Sequence, residues 1–249
     1  MTICIKNIFI SVESTFDIVY YRLKQFEVEE KQTDHRIIIT DHLIDISVLD
    51  YTLKIEKKIS STDIYPILNN MIAYFINDED NLYIHSVVIS KNNKGILLLG
   101  DFKSGKTTLA EEASRFGYEM NSADQTWITR ERMILGSSFN KRFDEVSFLS
   151  QKKIHKHVKI EKILILRGLS THGDFRIEKI DRKEYYLKNI FKYCNWHYDM
   201  PLLTEYRKLK DTGEKILKFL QRLDIDAYFI CGDERKAMEV ICDREESIK

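Results

Sequence analysis

The chain has 249 residues, 43 % of them hydrophobic and 31 % charged, and its 39 Lys and Arg residues balance 39 Asp and Glu residues. This composition is typical of a globular protein with one large domain or two small ones, and it excludes a disordered chain. A formal charge of zero gives no basic excess for a nucleic-acid-binding face, and no apolar run approaches the roughly 20 residues that cross a bilayer. We therefore expect neither nucleic acid nor a membrane among the partners.

The first residues of the chain contain a short apolar run. The segment 1–11 has a lone lysine and no small-residue cleavage site, so it predicts a strand and not a signal peptide. The cysteines are scattered without C-x-x-C spacing, which makes a disulfide framework or a zinc site a weak interpretation. We expect a cytoplasmic protein with reduced thiols at Cys4, Cys194, Cys231 and Cys242.

The N-terminal part of the chain is rich in predicted strands. Apolar residues alternate from Ile3 to Val12 with a slip at Asn7, which predicts one strand with a bulge or an early end. The segment Ile37–Ile55 predicts two strands that alternate in opposite phase, with Asp50 near their junction. The segment Tyr20–Glu30 has no clear pattern.

A helix follows these strands. Asp63 is predicted as its N-cap, and Pro66 falls in the predicted first turn, where a missing N–H is tolerated. We expect residues 1-80 to form a strand-rich N-terminal lobe with one amphipathic helix. The apolar stripe of that helix is Ile64, Ile67, Leu68, Met71, Ile72 and Phe75.

The central part of the chain predicts a hairpin that leads into a helix. Leu82–Ser90 and Gly95–Leu99 read as paired strands around the turn Lys91–Lys94. The helix is predicted over Lys106–Phe116, and Gly117 stands where a left-handed C-terminal cap belongs.

Strands and helices then alternate. Tyr118–Thr129 predicts a strand passing through Asp124, whereas Met133–Lys159 is polar and irregular, typical of a mobile or partner-facing region. We expect residues 81-249 to form an α/β domain. Its later predicted elements are a strand over Lys162–Leu166, a helix capped by Asp181 with Leu187, Ile190, Phe191 and Cys194 on its apolar side, a helical run through Leu223, a strand over Ala227–Cys231 and a helix capped by Asp233.

The segment Gly100–Thr107 matches the pattern G-x-x-x-x-G-K-[ST] between a predicted strand and a predicted helix. Its two glycines let the backbone curl so that N–H groups wrap phosphate oxygens. Lys106 would supply charge to the β and γ phosphates and Thr107 a hydroxyl to Mg²⁺, with the helix N-terminus directed at the anion. The sequence therefore predicts a P-loop that binds ATP or another nucleoside triphosphate with magnesium. The predicted nucleotide-binding residues are Gly100, Lys103, Ser104, Gly105, Lys106, Thr107 and Thr108.

A P-loop site also needs a carboxylate at the end of a neighbouring strand to fix magnesium. Asp124 is predicted as that ligand, together with Thr107, because its strand returns from the helix to the phosphate side. The alternative is a turn aspartate that caps a local N–H. Asp224 and Asp226 precede the last strand and are weaker candidates.

These residues resemble the catalytic domain of HPr kinase/phosphorylase and its smaller relatives, which include kinases of lasso-peptide and other modified-peptide pathways. The family pattern is a His before a strand, G-D-x-x-x-G-K-[ST]-[TE], a helix ending in R-x-G-(aromatic or His), and a strand ending in Asp-Asp. The resemblance covers roughly residues 80 to 245. The matching residues are His85, Gly100-Asp101, Lys106-Thr107-Thr108, Arg115-Phe-Gly117-Tyr118 and Ser122-Ala123-Asp124.

The resemblance implies a nucleotide-binding fold like that of phosphoenolpyruvate carboxykinase, with a mixed sheet. It also implies a catalytic site built from Lys106, Asp124, His85 and Asp101. One departure is Ala123, which replaces the first Asp of the family pair, the base for the acceptor hydroxyl. Asp101, His85 and Asp144 are the alternative bases, and a histidine satisfied by backbone is an equal alternative for His85.

The resemblance implies an ATP-dependent kinase that phosphorylates a hydroxyl, most naturally of serine, on a protein or peptide. One alternative is a nucleotide-binding adaptor or regulator of a peptide-modification pathway that has lost transfer chemistry, which Ala123 favours. Another is a kinase that acts on a small molecule. The sequence is also compatible with a homo-oligomer.

Overall fold

The computed structural model describes residues 1–101, 103–138, 158–170, 174–180, 183–194, 206–233 and 235–239. Over these residues the protein is an α/β structure with three sheets. Within these ranges, none of the helices has the length and apolar character needed to span a membrane.

The chain divides into two compact units. The first contains Met1–Asn77 and Asn195–Lys215, and the second contains Asp78–Cys194 and Ile216–Lys249. The division into an N-terminal lobe over 1-80 and a second domain over 81-249 stays a prediction.

The first unit has a six-stranded sheet of order β3-β1-β2-β4-β5-β6. Only β2 and β4 pair in parallel, and every other neighbouring pair is antiparallel. Its strands are β1 (Thr2–Ile5), β2 (Ile8–Ser14), β3 (Glu27–Val28), β4 (Arg36–Ile39), β5 (Leu43–Val48) and β6 (Tyr51–Glu56). Its helices are α1 (Asp17–Leu23), a 3₁₀ turn (Lys24–Phe26) and α2 (Ser61–Ile76).

The strand predicted over Ile3–Val12 ends early, which was one of the two predicted outcomes, and the chain then reverses into a second strand. Lys6 and Asn7 both have positive φ, 49° and 67°, and link β1 to β2 in a two-residue hairpin. Consecutive left-handed residues match the twist of a tight hairpin. The slip in the apolar pattern therefore marks the early end of the strand and not a bulge.

The segment Ile37–Ile55 contains three strands and not two. β5 and β6 correspond to the two predicted strands, and they pair with Val48 opposite Tyr51. The additional strand, β4, ends at a turn in which the Thr40 N–H donates to the Leu43 carbonyl at 2.8 Å. This turn is too short to break the apolar pattern visibly.

α2 begins three residues before the predicted start. Ser60 is the N-cap, and Asp63 is the third helical residue, whose Oδ2 accepts the Ser60 N–H at 2.9 Å. Asp63 therefore belongs to a capping box, and Pro66 lies beyond the first turn. The predicted apolar stripe of α2 is buried along its whole length.

The second unit is built on a mixed six-stranded sheet of order β10-β8-β9-β13-β15-β14. β9, β13 and β15 are parallel, and the remaining pairs are antiparallel. Its strands are β8 (Val87–Lys91), β9 (Lys94–Gly100), β10 (Glu119–Ser122), β13 (Lys159–Ser170), β14 (Arg176–Lys179) and β15 (Asp226–Asp233). The mixed character of the sheet is confirmed.

A smaller sheet of order β12-β11-β7 belongs to the same unit. Its strands are β7 (Asn81–His85), β11 (Gln125–Thr129) and β12 (Ile134–Ser138). The helices are α3 (Lys106–Ser114), α4 (Lys183–Phe191) and α5 (Tyr206–Arg222), of which the part from Ile216 lies in this unit.

α3 packs its apolar residues Leu109, Ala110 and Ala113 against the six-stranded sheet. Its end is closed as predicted at Gly117, which has a φ of 81°. The Gly117 N–H donates to the Ser114 carbonyl and the Tyr118 N–H donates to the Ala113 carbonyl, both at 3.1 Å. This is the bond pattern of a Schellman motif.

Two predicted strands are each divided between the sheets. Leu82–Ser90 is β7 and β8, which separate at Ser86, and Tyr118–Thr129 is β10 and β11, which separate at residues 123–124. The two breaks lie side by side, since the Ser86 N–H donates to the Asp124 carbonyl at 3.0 Å. Each strand bends there from the large sheet into the small one.

The remaining predictions have mixed outcomes. The segment Met133–Lys159, predicted to be irregular, begins with β12, while 139–157 and the predicted cap Asp181 lie outside the described residues. Asp233 caps helical residues 235–239, because its Oδ1 accepts N–H groups of Arg235 and Lys236 at 3.0 and 2.9 Å.

Candidate functional site

The glycine-rich segment lies at the edge of the large sheet where its parallel strands end. β9 ends at Gly100, and α3 begins at Lys106. β10 runs in the same direction as β9, since both are antiparallel to β8 between them. Asp124, which follows β10, therefore lies at the same edge as the 100–107 loop.

Both glycines of the loop are required by close approach and backbone conformation. Gly105 has a φ of 93°, and a Cβ at this position would lie 2.9 Å from the Leu169 Cβ. Gly100 has a φ of 156°, and its Cβ would lie 3.0 Å from the Leu166 carbonyl oxygen. Side chains at these positions would displace β13 or strain the backbone. The loop is thus folded tightly against the neighbouring parallel strand.

The Lys106 side chain folds back over the loop. Its Nζ donates to the Gly100 carbonyl at 2.7 Å and to the Asp101 carbonyl at 3.0 Å. Only 9 % of the residue is exposed. Burial lowers the pKa of the ammonium, and the nearby charges of Asp101 and Asp124 oppose this shift. Lys106 and the two carboxylates thus form one electrostatic cluster.

Asp124 is paired with His85. The His85 Nδ1 lies 3.3 Å from the Asp124 Oδ1, and the carboxylate is almost completely buried while 35 % of the imidazole is exposed. The backbone N–H of His85 also donates to the Tyr193 carbonyl at 2.9 Å. The structure therefore brings together two predicted catalytic residues from neighbouring strands, β7 and the start of β11.

A chain of buried hydroxyls fixes the bends that place Asp124. The Ser86 and Thr126 hydroxyls share a hydrogen bond of 2.7 Å, and the Thr126 hydroxyl donates to the Ser122 Oγ at 2.8 Å. The Ser122 hydroxyl in turn donates to the Gln125 carbonyl at 2.9 Å. Since all three hydroxyl residues are fully buried, each bond replaces one that water would otherwise make.

Asp101 is held from outside the loop by a residue that the sequence did not indicate. The Lys192 Nζ lies 3.1 Å from the Asp101 Oδ1, and 77 % of the Asp101 side chain is exposed. The two residues are 91 positions apart, and Lys192 follows α4 among other lysines. No sequence spacing could have identified this contact.

The other predicted nucleotide-binding residues lie in the same loop or in the first turn of α3. Lys103 is exposed with a left-handed φ of 63°, and Thr107 and Thr108 are half-buried. Ser104 is buried, its N–H donates to the Asp101 carbonyl at 3.1 Å, and its Oγ has no partner among the described residues.

The weaker candidates for the metal ligand lie elsewhere, and residue 123 carries no group that could bind metal or accept a proton. Asp226 begins β15, at the opposite end of the parallel strands, and pairs with Lys179 at 2.8 Å. Asp224 precedes that strand and is exposed. Ala123 is buried, with 5 % exposure. Asp144 lies outside the described residues.

The oxygen groups near the loop are of the kind that magnesium prefers. They are the Asp124 carboxylate, the Thr107 hydroxyl and the buried Asn121 amide, whose Oδ1 has no partner among the described residues. The described part of the chain contains no group of three or more His, Cys, Asp or Glu residues that could hold a metal without further ligands. The chemistry of these oxygen groups is compatible with magnesium.

Neither a scan against protein-family models nor a search of curated proteins found a match to this chain.

Replacement of Thr126 by Val should destabilise the protein by about 1–3 kcal/mol, because two buried hydroxyls each lose one hydrogen-bond partner while the side chain keeps its size. Urea unfolding followed by circular dichroism measures this change. The control is Thr52→Val on the exposed face of β6, where we expect a change within about 0.5 kcal/mol. Equal effects of the two substitutions would contradict a structural role for the hydroxyl chain.

Proposed function

We propose that this protein is a phosphotransferase that uses a magnesium–nucleoside triphosphate. The observation that carries the proposal is the Lys106 ammonium, buried over a tight glycine loop at the carboxyl end of a parallel strand, with Asp124 nearby. The two loop carbonyls and the two carboxylates give Lys106 an excess of negative neighbours as long as no other cation is bound. Magnesium at Asp124 would leave Lys106 available to phosphate.

The loop and the start of α3 supply the phosphate-binding groups. The first N–H groups of α3 have no partner within the helix and carry its positive dipole end. Residues Gly105, Lys106 and Thr107 place those groups at the mouth of the loop. Lys106 adds a full positive charge where the β and γ phosphates would lie.

Asp124 and Thr107 are the groups that would hold magnesium. The ion supplies charge neutralisation of the phosphate oxygens during transfer. The burial of Asp124 keeps its carboxylate oriented, and the hydrogen-bonded bends at Ser86 and residue 123 fix its position along the sheet.

In this proposal His85 is the base that accepts the proton of the acceptor hydroxyl. Ala123 has no acidic group, and the Asp101 carboxylate is engaged by Lys192. The imidazole of His85 is oriented through Nδ1 by Asp124, and its exposed fraction allows Nε2 to meet an acceptor. The resemblance to HPr kinase/phosphorylase favours a serine hydroxyl on a protein or peptide as that acceptor.

A nucleotide-binding adaptor is the second candidate. It is favoured by the buried Ala123, which leaves the acceptor side without the usual aspartate. Phosphoryl transfer depends mainly on positioning and charge neutralisation, so the missing carboxylate slows the reaction without abolishing it. The kinase is therefore the preferred proposal.

Lys106→Ala should abolish nucleotide binding. At 100 times the dissociation constant, Mg–ATP should add about 2.7 kcal/mol of stability to the wild-type protein, a shift that differential scanning fluorimetry detects easily. The control is Lys94→Ala, an exposed lysine at the opposite end of β9 that should retain the full shift. A wild-type melting temperature that Mg–ATP leaves unchanged would refute nucleotide binding.

Asp124→Asn should weaken nucleotide binding in magnesium by about tenfold or more and leave metal-free binding within about threefold, because an amide binds Mg²⁺ less well than a carboxylate. Isothermal titration calorimetry with and without EDTA measures both affinities. The control Asp226→Asn removes a carboxylate at the far end of the sheet and should change neither. Full metal dependence in Asp124→Asn would make Asp124 a turn residue.

His85→Asn should slow phosphoryl transfer by about 10²–10⁴-fold without changing ATP affinity, because it removes the proton acceptor and keeps a polar side chain. Transfer from γ-labelled ATP to a serine peptide library, with products identified by mass spectrometry, measures this rate. The exposed His42→Asn is the control. Tight ATP binding without any labelled product in wild type would favour the adaptor.

A further inference from the structure

Lys192 joins the end of α4 to the proposed phosphate loop. Its Nζ contacts both carboxylate oxygens of Asp101, at 3.1 and 3.5 Å. The backbone carbonyl of the same aspartate accepts the Lys106 Nζ at 3.0 Å. Asp101 is therefore contacted by two lysines, one buried inside the loop and one reaching it from outside.

The backbone around Lys192 is fixed beside β7. The carbonyl of the next residue, Tyr193, accepts a hydrogen bond of 2.9 Å from the backbone N–H of His85. Cys194 forms an isolated β-bridge with Ile84. The Lys192 ammonium also lies 4.6 Å from the centre of the Tyr193 ring. The root of the side chain is thus anchored next to the His85–Asp124 pair, while about half of the side chain stays exposed and can change its partner.

The charge of Asp101 is unfavourable for a phosphate site unless another group compensates it. A carboxylate on the second residue of the loop repels phosphate oxygens, although the 77 % exposure of the Asp101 side chain lets water and salt reduce this repulsion. Burial lowers the pKa of Lys192, but hydrogen bonds and charge interactions with Tyr193 and Asp101 outweigh it and raise the pKa overall. The charged form of Lys192 is therefore stabilised at this position.

We propose that Lys192 is a specificity-determining residue that recognises the terminal phosphate and thereby distinguishes nucleoside triphosphate from diphosphate. This inference rests on the proposed function of the loop. In a transfer reaction the terminal phosphate faces the acceptor, and His85 marks that side of the site. A cation anchored beside His85 meets the terminal phosphate and not the base or the ribose. Before nucleotide binds, the Asp101 carboxylate holds the Lys192 ammonium close to the place where it would meet the terminal phosphate.

Calorimetry tests this role with two magnesium complexes, that of ADP and that of an ATP analogue with a β–γ imido bridge. Lys192→Gln should weaken the triphosphate analogue about tenfold or more and ADP by less than about threefold, as expected for one charge-assisted hydrogen bond. Lys192→Arg keeps the cation and should keep the ratio of the two affinities within about threefold of wild type. Lys188→Gln, an exposed lysine on α4, is the matched control and should behave as wild type.

Each result of this experiment decides for or against the inference. Equal weakening of both ligands in Lys192→Gln, or no weakening of either, would overturn a role in reading the terminal phosphate, even though the wild-type protein binds nucleotide. Failure of the wild-type protein to bind either ligand would refute the proposed function itself, and the inference with it. A preserved melting temperature of unliganded Lys192→Gln shows that the change is not a loss of folding, since an exposed ion pair contributes little to stability.

Discussion

The buried ammonium of Lys106 sets the conditions that the rest of the candidate site has to meet. A charge with so little exposure needs hydrogen-bond acceptors and opposite charges nearby, or it would lose its proton. The acceptors are two carbonyls of its own loop, and the opposite charges are Asp101 and Asp124. The loop can present those carbonyls only because Gly100 and Gly105 let the backbone turn against β13.

The second carboxylate depends on a different part of the fold. Asp124 reaches the edge of the sheet because β10 runs in the same direction as β9, with β8 between them. The strand stops there because the chain bends into the small sheet. The neighbouring bend at Ser86 separates β8 in the large sheet from β7 in the small sheet and places His85 opposite Gln125 of β11. Two adjacent strands that bend at one level thus bring an imidazole and a carboxylate together.

Much of this arrangement could be predicted from local patterns. The glycine segment between an apolar strand and an amphipathic helix predicted the loop, and a return strand placed Asp124 on its side of the sheet. What the sequence did not reveal were the bends. Leu82–Ser90 keeps strand-forming residues across Ser86, so nothing in its pattern marks the change of sheet. The Lys6-Asn7 hairpin was missed for a similar reason, since its two residues shift the alternation by one and resemble a bulge.

Long-range contacts between charged side chains were beyond the reach of any pattern. They bear on the proposed kinase, in which Ala123 replaces the aspartate that the resemblance to HPr kinase/phosphorylase implies. In a site with few other charges, loss of the carboxylate at position 123 would remove the main charged group that faces the acceptor hydroxyl. Here the loop edge already holds two carboxylates, two lysines and a histidine. A further aspartate at 123 would add a third negative charge beside Asp124 and increase the repulsion of phosphate. An alanine there is compatible with transfer chemistry provided that His85, oriented by Asp124, accepts the proton.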